Sequence, residues 1–235
     1  MTRFVACLPM LAFAGCHISM DMDDNAPMQT VTRSLERGNA EFVHAEIDMS
    51  VGGLKIKGGS AKFLEAEFHT PHPPEVSYDA KGARGALEIR SPKKERWGHK
   101  SGDIEWKLKF DNQTPIDLVV RLGAGETDLD LSGVALRSLQ VHMGVGELHL
   151  NLDGEYKRDV EVEVHGGVGR AEIRLPRRMG AQVDAKGGIG SLNTKGLKKD
   201  ADGRYVNAAY EKSTRQVRCV VRGGIGEIEL IGDAE

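Results

Sequence analysis

The sequence predicts an all-β protein, a solenoid-like stack of β-coils preceded by an irregular β front half. Gly-x-Gly triplets begin at Gly123, Gly144, Gly167, Gly188 and Gly224, with spacings of 21, 23, 21 and 36 residues, the signature of one repeated supersecondary unit. Apolar residues alternate with period two on both sides of every triplet, which is the spacing of strands. The chain is 40% hydrophobic but only 5% aromatic, so its core has to be built from stacked aliphatic side chains. Its 29 glycines in 235 residues are well above the roughly 7% of an average chain. With 8 prolines and charges of both signs the composition is neither disordered nor collagen-like. The length suffices for one domain or two small ones. Formal net charge is −3, so charge gives no reason to expect a nucleic-acid partner.

Taken in order, the chain begins with an address. Arg3 precedes an apolar run from Phe4 to Gly15, too short for a membrane span of about 20 residues and suited to a secretory signal. The segment LAFAGC ends at Cys16, and small Ala14 and Gly15 directly before a cysteine resemble the lipobox of bacterial lipoproteins, although Phe13 stands where lipoboxes usually carry Leu. The expectation is a signal peptide over 1–15 and a lipid on Cys16. Cys7 would leave with the signal, so Cys219 would be the one free thiol, without an internal disulfide partner. It lies in the alternating run QVRCVV and is read as a small core residue. Residues 16–30, polar and rich in Asp and Met, are expected to form a tether.

The front half, 31–115, carries strand-like runs: AEIDMS, LKIKG, AKFLEAEF, PEVSYDA, ALEIRS and IEWKLKF. Val51-Gly52-Gly53-Leu54 is read as a degenerate triplet. The region 116–232 holds the repeats. Before the triplets come inward pairs such as Leu118 and Val120 or Leu139 and Val141; after them come Leu129 and Leu131 or Leu148 and Leu150. Counting by twos from Val120 predicts Glu126 inside, whereas the inward set is Thr127, Leu129 and Leu131. The side-chain phase slips by one at the second glycine, as it does at a bulge or corner. The middle residues Ala124, Val145, Val168, Ile189 and Ile225 are apolar, which predicts a packed corner. Equal columns favour stacked coils; an antiparallel β-sandwich is the alternative. The fourth repeat, with Ala181, Ala185 and Thr194 inside, is the thinnest layer. The longer last spacing implies an insertion at about 197–216.

The runs TPIDLVVRLGAGETDLDLSG, LQVHMGVGELHLNLDG, VHGGVGRAEIRLP and VRGGIGEIEL resemble the bacterial toast-rack domain, related to the C-terminal domains of cell-wall-active antibiotic response proteins; AKFLEAEF, PEVSY and EWKLKF resemble the same family's N-terminal segment. The resemblance covers about 30–232 and rests on structural glycines and leucines. It implies a fold, links to adhesins and envelope-stress systems, and no catalytic residue. Signalling relatives are joined to membrane helices, which this sequence lacks.

Dinucleotide and P-loop patterns are absent, because a strand rather than a helix N-terminus follows each triplet. Asp128, Asp130, Ser132 and Gly133 begin like a calcium loop, but Leu139 occupies the position that needs a bidentate Glu. Asp21, Asp23 and Asp24 read as tether charges, and His69 and His72 as loop residues without the companions a metal site requires. No metal or cofactor is expected. Glu126, Asp128, Asp130 and Glu147 could pair as a glycosidase does, but such separations occur all over a β surface.

One column stands out. Arg121, His142, His165, Lys186 and Arg222 lie two residues before their triplets and would form a basic ladder if coils stack about 4.8 Å apart. It could bind an anionic envelope polymer or lipid headgroup and strengthen as the histidines protonate. Such like charges repel, so pairing across the corner is expected, with Glu126, Glu147 and Glu227 five residues after Arg121, His142 and Arg222. Tyr205 and Tyr210 in the insertion are candidates for a partner loop, or for a cover over the weak fourth layer.

The sequence therefore predicts a non-catalytic envelope lipoprotein, structural, adhesive or stress-related. The alternative is a sensor of an anionic envelope ligand, and a glycan-acting enzyme ranks last. Expected partners are the membrane, through the N-terminal lipid, and an envelope glycan, lipid headgroup or protein. His17 after Cys16, where inner-membrane retention usually has Asp, points to the outer membrane on its periplasmic side.

Overall fold

A computed structural model describes residues 26–92 and 104–232. The expected signal peptide, the expected lipidation site Cys16 and residues 16–25 of the expected tether lie outside the described residues. In chain order the strands are β1 (Gln29–Leu35), β2 (Phe42–Lys57), β3 (Leu64–Thr70), β4 (Glu75–Asp79), β5 (Arg84–Arg90), β6 (Glu105–Phe110), β7 (Ile116–Asp130), β8 (Leu136–Asn151), β9 (Val160–Arg174), β10 (Gly180–Lys186), β11 (Ile189–Lys195), β12 (Lys198–Lys199), β13 (Tyr205–Val206) and β14 (Gln216–Ile231). Among the described residues there is no helix.

The triplets lie within strands. β7, β8, β9 and β14 each run 15 or 16 residues straight through the glycines, and only the fourth repeat breaks, into β10 and β11. Each long strand has a first arm before its triplet and a second arm after it, and both arms bury their apolar side in one core, as Val120 and Leu129 do on β7. The phase slip makes this possible. Gly146 sits at φ +141°, and a Cβ there would land on the carbonyl oxygen of Gly125 in the neighbouring coil. No side chain fits such a close backbone approach.

The long strands pair in parallel, β2 with β7, β7 with β8, β8 with β9 and β9 with β14, which excludes the antiparallel sandwich. In β2 the aligned corner is Ser50-Val51-Gly52, one residue earlier than the degenerate triplet read from the sequence, with Gly52 level with Gly125. Beyond β2 the sheet divides. The first arm continues to β5 and β4, the second to β6, β3 and the edge strand β1. This front half holds Trp106, Phe68 and Phe110, among the largest fully buried side chains.

Two features depart from the sequence reading. The last two repeats exchange places: β14 lies between β9 and the β10/β11 coil, so the fourth repeat ends the stack and the fifth fills the gap behind it. Identical columns allow either order, since each coil offers the same edge to its neighbour. The corner is also not packed. Val145, Val168, Ile225 and Ile189 are 54%, 47%, 52% and 73% exposed. The φ reversal at the second glycine puts the middle side chain on the outside of the bend, whatever its polarity.

The insertion forms β12 and β13, laid against β10. Buried Asn207 fixes it: its Nδ2 donates to the Pro176 and Met179 carbonyls at 2.7 and 2.8 Å, and its Oδ1 accepts from the Ala181 amide at 3.0 Å. These bonds satisfy backbone groups that the end of the stack would otherwise bury unpaired.

Candidate functional site

The column of basic residues is present on the outer face of the first arms, in a different order from the chain. Cross-strand pairing runs Arg90, Asp48, Arg121, His142, His165, Arg222, Lys186. Arg121 Nη1 donates to Glu46 Oε2 at 3.0 Å and Arg222 Nη2 to Asp184 Oδ2 at 2.9 Å. These hydrogen bonds hold both carboxyls below their usual range. The acids beyond the corner do not serve as expected: Glu227 pairs with Arg170 instead. They lie on the second arm, whereas Glu46 and Asp184 stand on adjacent strands of the same face. The His142 and His165 rings stack 5.2 Å apart at 6°. Burial first, then the neighbouring His165 and Arg121 charges, push the His142 imidazole below its ordinary value. Folding therefore disfavours the charged form of His142. Lys186 makes no ion pair among the described residues.

Tyr205 and Tyr210 occupy the end of the stack. Tyr205 packs against the core edge, with Lys199 Nζ 5.1 Å from its ring centre. The Tyr210 hydroxyl accepts from Gln182 Nε2 at 2.8 Å. Cys219 is buried, and desolvation pushes its thiol up to about 12, so it is protonated and inert at neutral pH. His69 Nδ1 lies 3.0 Å from Thr30 Oγ1, and Asp130 Oδ1 accepts from the Ser132 hydroxyl at 2.7 Å and from Asn151 Nδ2 at 3.1 Å. No group of three or more metal-binding side chains occurs among the described residues.

A feature the sequence reading missed lies inside the corner. The residue before each triplet points inward, and along the stack this position runs Met49, Leu122, Met143, Gly166, Gly223, with Gly187 beside Gly223 at the end. Three large side chains fill the corner of β2, β7 and β8; beyond them the glycines open it, with free space beside Gly166 and the Ile228 side chain reaching towards Gly223. The position two residues after the second glycine adds to this, since Leu148 on β8 gives way to Ala171 on β9. The result is a cavity of about 170 Å³ whose lining includes Met143, Leu148, Val164, Ala171, Val221 and Ile228. It extends to Gly187, Gly190, Ser191 and Leu192 of the last coil, with Val168 and Ile225 at its rim. The signal was legible as GGVG, GGIG and GGIG against LGAG and MGVG.

Parallel coils stacked on a glycine corner define the class of protein, a toast-rack β-array. The family profile described as "N-terminal domain of toast_rack, DUF2154" matches residues 24–174, and the chain belongs to this family. Among solved structures, a proposed cell adhesion protein from Clostridium sporogenes is similar with 30% identity and a TM-score of 0.83, over 88% of this chain and 100% of that one. A proposed adhesin from Bacteroides fragilis has 12% identity and a TM-score of 0.34, over 87% and 98% of the two chains. No curated protein matches significantly.

Proposed function

We propose that the protein is a non-catalytic adhesive or interaction module of the cell envelope, held on a membrane by a lipid on Cys16. The observation that carries this reading is the 30% identity, along the whole of the Clostridium sporogenes chain, to a protein proposed to act in cell adhesion. The distribution of charge supports it. An enzyme acting on glycans needs ionisable groups that converge in a cleft. Here acids and bases alternate over flat strand faces and pair with their neighbours, as Lys55 with Glu105 at 2.7 Å and Arg218 with Glu161 at 3.1 Å. The outer membrane, periplasmic side, is the location that His17 favours.

Two measurements test the reading. Palmitate labelling of cells should be lost in Cys16→Ser, and undiminished labelling refutes the anchor. Deletion of the protein should lower the attachment of whole cells to surfaces or to one another, and attachment equal to the parent refutes the adhesive role.

A further inference from the structure

The two arms of the stack end differently. The first arm is extended past β10 by β13 and then β12, whereas among the described residues the second arm stops at β11, which pairs with β14 alone. At a strand spacing of about 4.8 Å, the first arm projects roughly 10 Å beyond the second and leaves a step. The floor of this step is the free edge of β11.

Exposed edges in soluble proteins are usually blunted by charge or proline. The other edge strands follow this pattern: β1 carries Arg33, and β4 carries Glu75 and Asp79. β11 reads Ile-Gly-Ser-Leu-Asn-Thr-Lys, with no charge before Lys195 and no proline. Ile189 begins it at 73% exposed and terminates the aliphatic ridge of Val145, Val168 and Ile225. The glycine-lined cavity reaches Gly187, Gly190 and Leu192 of the same last coil.

The surroundings are basic. Lys186 ends β10, Lys195 ends β11, and Lys198 and Lys199 form β12. Among the described residues the carboxylates nearby are engaged: Asp184 by Arg222, Asp200 and Asp202 by Arg204, Glu229 by Arg170 and Lys195. A second copy laid edge to edge is excluded by the step itself, since the two projecting hairpins would occupy the same space. A single extended segment meets no such obstacle.

We propose that β11 is a docking edge for an acidic, extended peptide segment of a partner protein. The segment adds as a strand in the step, its backbone pairing with β11, an apolar side chain entering the cavity at Gly187, and its acidic residues meeting Lys186, Lys198 and Lys199, since Lys195 is held by Glu229. This deepens the reading of the chain as an interaction module and rests on it.

The test uses the full chain and two labelled eight-residue peptides, one alternating Asp and Leu and the other alternating Lys and Leu, with fluorescence anisotropy at low and high salt. The Asp-Leu peptide should bind at least about tenfold tighter than the Lys-Leu peptide, and more weakly at high salt. Ile189→Asp should lower its affinity about tenfold, and Ile189→Val should retain it. A Cβ at Gly166 meets nothing within 4 Å, so Gly166→Met should fold, fill the cavity and weaken binding several-fold. Equal affinity for the two peptides, or Ile189→Asp within twofold of the parent, overturns the proposal. If deletion abolishes cell attachment while Ile189→Asp preserves it, the edge fails and the adhesive reading stands. If deletion has no effect on attachment, the adhesive reading itself fails.

Discussion

The coils of β2, β7 and β8 and those of β9, β14 and β10/β11 share one backbone and differ in what fills it. Both sets place glycine at the second corner position in register, from Gly52 and Gly125 to Gly226 and Gly190. Both bury aliphatic residues on the two arms. Inside the corner, Met49, Leu122 and Met143 of the first set oppose Gly166, Gly223 and Gly187 of the second. Stacking depends on backbone contacts at the corner, while filling depends on side chains one residue away. The two requirements are separable, and this chain meets the second in only half of its stack.

Substitutions can break or sharpen that contrast. The largest effect should come from the shared backbone. In Gly146→Ala the new Cβ meets a carbonyl oxygen of the next coil, which cannot move without unpairing a strand, and φ +141° is strained for any side chain. A loss of about 4 kcal/mol or more is expected in urea unfolding; a loss below about 1 kcal/mol would show that the corner tolerates separation. Next, Met143→Ala should extend the hollow into the filled set and cost about 2 to 3 kcal/mol. If the cost is negligible, Met143 does not support the corner.

Filling in the other direction should help. Gly166→Met places in β9 the side chain that β8 already carries and should raise stability by about 1 kcal/mol. Destabilisation would show that the cavity wall is tighter than its open lining suggests. The smallest effect concerns the His142 and His165 pair. Folding favours the neutral His142 ring, so its contribution is complete above its ordinary value of 6.5 and is lost as pH falls through the lowered folded value. Arg121 and His165 add to this trend, and Glu163 opposes it. Thermal melts should show less acid destabilisation in His142→Gln than in the parent; an unchanged profile would place the sensitivity elsewhere.

Much of the stack was legible along the chain. The phase slip between Val120 and Leu129 located the corner, because inward and outward positions follow from local alternation and any break in it needs a special backbone. Cys219 was legible as core for the same reason. The exposed ridge was not, since apolar Val145 and Ile189 suggest burial while the direction of a corner side chain depends on the glycine φ. The salt partners were hidden too. Arg121 meets Glu46, 75 positions earlier in the chain, across a strand boundary that local pattern does not specify.

The sequence by itself determined the strands, their inward faces and the glycines on which they turn, because these depend on period-two alternation and on the space beside a single Cα. Only the tertiary structure decided the order of the last two coils, the pairing of charges along the ladder and the step that leaves β11 uncovered. Those depend on which strands become neighbours, and near-identical coils carry almost no local mark of their order.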